Sequence, residues 1–129
     1  MASQESESTL RAWFIKSALE ALKTREAGCW YRVLKDPENR FPDKTCALVI
    51  GWLPDGGTLP DGYSAYAGIL TQPANSVMRC DYDVDWQAPI REDGSVDDTD
   101  TCIEGMSEKE LESEFDWLLS TAKSYGLSE

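Results

Sequence analysis

The sequence contains no histidine. That absence removes the commonest general base, the commonest nitrogen ligand for metals and the side chain that titrates near neutral pH. Ser-His-Asp and Cys-His nucleophilic arrangements are excluded outright. An enzyme built on this chain would have to use carboxylates, lysine, tyrosine or cysteine, so the balance leans away from catalysis. No apolar run approaches the roughly 18 residues that a membrane-crossing helix needs. The opening MASQESESTLRAW has acids and hydroxyls where a secretory signal would carry basic and then apolar residues. The four cysteines, Cys29, Cys46, Cys80 and Cys102, include no CxxC pair. Without histidine or close ligand spacing, a structural zinc site is disfavoured. The expectation is a cytoplasmic chain whose cysteines are free buried thiols and which needs no cofactor or metal. There is no glycine-rich phosphate loop, because DGGTLPDG lacks both a lysine and a following helix. A basic stripe is also missing, so neither direct nucleic-acid binding nor membrane association is expected.

What remains is enough for one domain. The chain has 129 residues, 41% hydrophobic, with five tryptophans, a composition that supports a real core. Residues 1–7 are expected to be a disordered tail and 8–127 a single α+β domain. From about Ser8 to Arg25 the pattern is helical. Leu10, Phe14, Ser17, Ala21 and Arg25 share a face flanked by Trp13, Ala18 and Leu22, while Ile15 and Leu19 fall off that stripe. CWYRVL (29–34), TCALVIGWL (45–53) and YSAYAGILTQ (63–72) read as strands. The second is apolar on both faces, as a central strand would be. The small residues of the third leave room for something to pack closely over it. The doubled LPDG between the second and third strands marks two successive turns. A fourth strand, 79–87, is followed by a turn at REDGS (91–95) and a weak edge strand returning through 96–103. The last helix carries a capping box, Ser107 with Glu110, a hydrophobic staple of Met106 and Leu111, and Gly126 placed to end it. Its apolar stripe is Leu111, Phe115, Leu118, Ala122 and Tyr125. The expected fold is therefore α+β: an antiparallel meander of four to five strands between an N-terminal and a C-terminal helix.

The net charge of −12 is unevenly placed. Residues 1–80 carry nine acids and nine bases. Residues 81–104 carry nine acids against Arg91 alone, and residues 105–129 carry six acids against two bases. Within RCDYDVDWQ, strict alternation puts Tyr82, Val84 and Trp86 on one side and Asp81, Asp83 and Asp85 on the other. Paired with 96–103, that strand would bring Asp97, Asp98 and Asp100 beside the first three. Like charges placed opposite one another are destabilising, so the fold gains nothing from the arrangement. Solubility and protection of a sheet edge explain it in one way. A surface for a basic protein partner explains it in another. A divalent-cation site is a third reading, although the EF-hand order is absent from DYDVDW.

Trp117 lies about 135° from the centre of the last helix's apolar stripe, by the 100° step per residue. Ser113, Ser120, Thr121 and Ser124 surround it. It is either a contact anchor or covered by a loop or the N-terminal tail. Three function classes follow. The first is a small acidic, non-enzymatic interaction protein that meets a basic partner through Asp81, Asp83, Asp85, Asp97, Asp98, Asp100 and Trp117, as a nucleic-acid mimic or inhibitor in one form. The second is a ligand-binding or enzymatic domain with a pocket between sheet and first helix, lined by Tyr31, Tyr66, Cys80 and Tyr82. The third is a cation-binding, structural or oligomerisation module. The wide apolar arc of the first helix, the two apolar faces of 45–53 and the off-stripe Trp117 together point to a homodimer.

Overall fold

The computed structural model describes residues 2–24, 28–54, 63–74, 89, 93–94 and 101–128. Among these residues two helices, α1 (Ala2–Thr24) and α2 (Glu108–Ser124), bracket four strands: β1 (Gly28–Leu34), β2 (Lys44–Pro54), β3 (Tyr63–Pro73) and β4 (Thr101–Cys102). The strands form one antiparallel sheet in the order β1-β2-β3-β4. This is the expected α+β architecture with a helix at each end. Among the described residues, no helix is long and apolar enough to cross a membrane.

The helical backbone of α1 begins at Ala2, six residues before the expected start at Ser8. Ala2, Gln4, Glu5 and Glu7 have good helix propensity, so the helix extends over this stretch without an apolar pattern. Farther along, the pattern decides which side is covered. Leu10, Phe14, Ser17, Ala18 and Ala21 are buried, Trp13, Ile15 and Leu22 are half-buried, and Leu19 is exposed. The expected stripe is therefore the packed face. Arg25, assigned to the same stripe, lies outside the described residues.

β2 is internal, pairing with β1 on one edge from Gly28↔Trp52 to Leu34↔Cys46 and with β3 on the other from Lys44↔Pro73 to Pro54↔Tyr63. Its two apolar faces follow from that position. Cys46, Leu48 and Ile50 join Ala65, Ala67 and Ile69 of β3 beneath the residues of both helices. The alanines leave the room the helices need over β3. Ala47, Val49 and Leu70 form a second, smaller cluster on the opposite face, with Tyr31 packed against it. Ala47 and Val49 are thus buried within one chain, and the second face of β2 is no argument for a second copy.

The meander differs from expectation after β3. Thr101–Cys102 pairs directly with β3, through Tyr66↔Cys102 and Ala67↔Thr101, and the Ile103 amide donates to the Ala65 carbonyl at 2.9 Å. The meander would have placed 79–87 along that edge and Thr101–Cys102 one strand farther out. Segment 79–87 itself lies outside the described residues. Sheet pairing is set by contacts distant in sequence, which local alternation does not encode.

α2 is held at both ends by local chemistry. The Ser107 hydroxyl accepts from the Glu110 amide, and a Glu110 carboxylate oxygen accepts from the Ser107 amide, both at 3.2 Å. At the other end the Leu127 amide reaches the Ala122 carbonyl and the Gly126 amide reaches that of Lys123, each at 3.0 Å. This is a Schellman closure, and Gly126 supplies its positive φ of 76°. The chain then bridges Lys35 and Ser128 through two backbone hydrogen bonds, tying the C-terminal residues to the end of β1.

Candidate functional site

The helix-covered face of the sheet is filled. Leu10 and Phe14 of α1 and Leu111, Phe115 and Leu118 of α2 are at most 1% exposed. The void among Leu10, Leu34, Leu48, Ile69, Phe115, Leu118, Leu119 and Ala122 has a volume of about 10 Å³ and purely apolar walls. That space is marginal even for one water molecule. The expected pocket between sheet and first helix is therefore not formed by these residues. The strand pairing explains why. Tyr31 sits opposite Val49, and Tyr66 opposite Gly51, so both tyrosines lie on the sheet face away from α1. The other two expected lining residues, Cys80 and Tyr82, lie outside the described residues.

The two cysteines whose side chains are described are free thiols in opposite settings. Cys46 is buried under the helices. Burial, with a smaller contribution from the Asp36 carboxylate, pushes its thiol up from 9.0 to about 12. A thiol that holds its proton this firmly is a poor nucleophile. Cys102 is exposed, which corrects the expectation that the cysteines are all buried. It lies in the short strand β4, opposite Tyr66 of β3. Among the described residues, no three His, Cys, Asp or Glu side chains gather as a metal site would require.

Asp81, Asp83, Asp85, Asp97, Asp98 and Asp100 lie outside the described residues. The described part of the acidic half is α2. Glu108, Glu110, Glu112 and Asp116 are exposed along it, against Lys109 and Lys123. Trp117 stands on the same helix with 46% of its surface exposed, so neither loop nor tail encloses it. Ser113, Ser120 and Ser124 beside it are also exposed, and the Thr121 hydroxyl turns back to donate to the Trp117 carbonyl at 2.8 Å. Three residues earlier in the chain, one carboxylate oxygen of Glu114 is buried with no hydrogen-bond partner among the described residues.

A second surface was not assigned from the sequence. Arg11, Ala12, Ile15, Lys16 and Leu19 of α1 line an open groove of about 480 Å³ with Glu108 and Glu112 of α2. Leu19 is 41% exposed there. The signal was present in the sequence, because Ile15 and Leu19 fall off the α1 stripe. What the sequence could not show is that α2 lies alongside them. No family model, curated protein or solved structure matches the chain.

Proposed function

We propose that the chain is a small acidic interaction protein of the cytoplasm, non-enzymatic, that docks on a basic protein through a carboxylate-rich surface anchored by Trp117. The observation that carries this reading is Trp117 itself, 46% exposed on α2, with Glu110 exposed on the same side of the helix two turns earlier. Exposing an indole is unfavourable unless a partner covers it, and tryptophan is among the residues enriched in interface hot spots. The charge of −12, concentrated after residue 80, supplies long-range attraction for a cationic surface and selects against acidic ones. Asp81, Asp83, Asp85, Asp97, Asp98 and Asp100 extend that surface in this reading. A partner that ordinarily grips nucleic acid fits the same chemistry, with carboxylates standing in for phosphates.

The test is capture of partners on the immobilised protein at low and high salt, with two variants alongside. One is Trp117→Ala, and the other replaces Asp81, Asp83 and Asp85 together with Asn. A basic protein retained at low salt, released at high salt and lost with both variants is the expected result. Retention that ignores salt and both variants would overturn the reading.

A further inference from the structure

The groove between α1 and α2 has a property that the Trp117 face lacks: its charge is balanced, with Lys16 on the edge of α1 away from α2 and the acids Glu108 and Glu112 on α2. Lys16 forms the far wall on α1, Glu108 and Glu112 the wall on α2, and Arg11 stands between α1 and α2. Arg11 is already engaged with Asp116. Lys16, Glu108 and Glu112 take part in no ion pair among the described residues. Between the two walls lie Ala12, Ile15 and Leu19, an apolar floor in contact with solvent. An apolar strip flanked on one side by an unpaired cation and on the other by unpaired anions is complementary to itself after a two-fold rotation.

We propose that this groove is the contact surface of a homodimer, in which Lys16 of each copy faces Glu108 and Glu112 of the other while Ile15 and Leu19 meet across the axis. A closed two-fold interface uses the same patch on both subunits, so each wall must match the opposite wall. Opposed walls of opposite sign meet that condition. Overall charge also favours this location. Two copies at −12 each repel, and they approach most easily where the surface is locally neutral. A strongly basic partner would instead prefer the uncompensated acids elsewhere. Glu112 and Trp117 are five residues apart, about 140° around the helix, so the dimer and the proposed partner surface use different sides of α2. The inference therefore stands independently of the proposed function. Seven residues line the groove, against the roughly 20–30 a side of a standard interface, so association is expected to be weak, in the micromolar range.

The experiment is sedimentation equilibrium from low to high micromolar concentration on the wild type, Lys16→Glu, Glu112→Lys and an equimolar mixture of the two variants. Both positions are exposed, so both variants fold. The wild type should show a monomer–dimer equilibrium. Each reversal acts at both symmetry-related sites at once and should weaken it about tenfold. The mixture should recover dimer, because each variant presents the charge that the other lacks. Recovery on mixing can arise only between two chains, which separates the proposal from an effect within one chain. A wild type that stays monomeric at high micromolar concentration overturns the inference. So does a dimer indifferent to both reversals, or a mixture that does not recover.

Discussion

Arg11 of α1 joins the two helices by a double contact: its guanidinium donates to the Asp116 carboxylate and lies 4.9 Å from the centre of the Phe115 ring. The two contacts differ in exposure. The Asp116 side chain is 61% exposed, so the ion pair is screened by water. The Phe115 ring is fully buried. Asp116→Ala should therefore cost under about 1 kcal/mol, the range for exposed ion pairs. Arg11→Ala should cost more, because it also removes the cation–ring contact and the stem that covers Phe115. Urea unfolding of both single variants and the double variant gives the coupling energy. A coupling well above the exposed-pair range would show that the pair is less solvated than its exposure implies.

Ser107 and Glu110 close the start of α2 reciprocally. Ser107→Ala should destabilise the chain by about 1 kcal/mol, the usual effect of removing a hydroxyl cap. Ser107→Asp keeps an acceptor and adds a charge suited to the helix dipole, so it should hold or raise the melting temperature. Thermal unfolding followed by circular dichroism reads both. Equal losses in the two variants would show that the cap does not stabilise the helix.

Cys102 and Cys46 should separate by reactivity. Cys102 is exposed, whereas Cys46 is 2% exposed and strongly protonated. A thiol reagent added at pH 8 to the native protein, followed by peptide mass spectrometry, should modify Cys102 rapidly. Cys46 should react only at the rate of unfolding. Equal rates at the two sites would mean that the helices do not seal this part of β2.

The Cys46 thiol also predicts an alkaline weakening. Below pH 9.0 it is protonated in both folded and unfolded chains and contributes no pH dependence. Between 9.0 and about 12 the unfolded chain releases the proton while the folded chain keeps it. The unfolded state then binds fewer protons, so stability falls as pH rises through this window. Cys46→Ala should start less stable, from the lost packing, and then decline less steeply over the same range. Parallel slopes for wild type and variant in denaturant titrations at stepped pH would show that the thiol is not the cause.

The candidate sites were legible in unequal measure. Trp117 could be placed off the apolar stripe because its position on the wheel follows from residue count alone, but whether another segment covers it is decided only by the packed structure. The groove was half legible, as two apolar residues without a place on the α1 stripe. The pocket expectation failed because Tyr31 and Tyr66 were assigned to a strand face without knowing which face the helices would cover. Alternation fixes which residues share a face, but the face that receives α1 and α2 is chosen by packing across the whole sheet.

By itself the sequence determined the strands Gly28–Leu34, Lys44–Pro54 and Tyr63–Pro73, each within one residue of its expected ends, and both caps of α2. These features depend on alternation, turn residues and capping side chains, all of which act over a few residues. The sequence also determined that 45–53 is internal, because apolar residues on both faces are stable only when both are covered. The tertiary structure decided the remainder. It set both helices on one face of the sheet, paired Thr101–Cys102 with β3 and left Leu19 beside Glu108 and Glu112. Each of these joins residues far apart in the chain. Their free energy comes from shared burial and backbone pairing, which exist only once the elements have met.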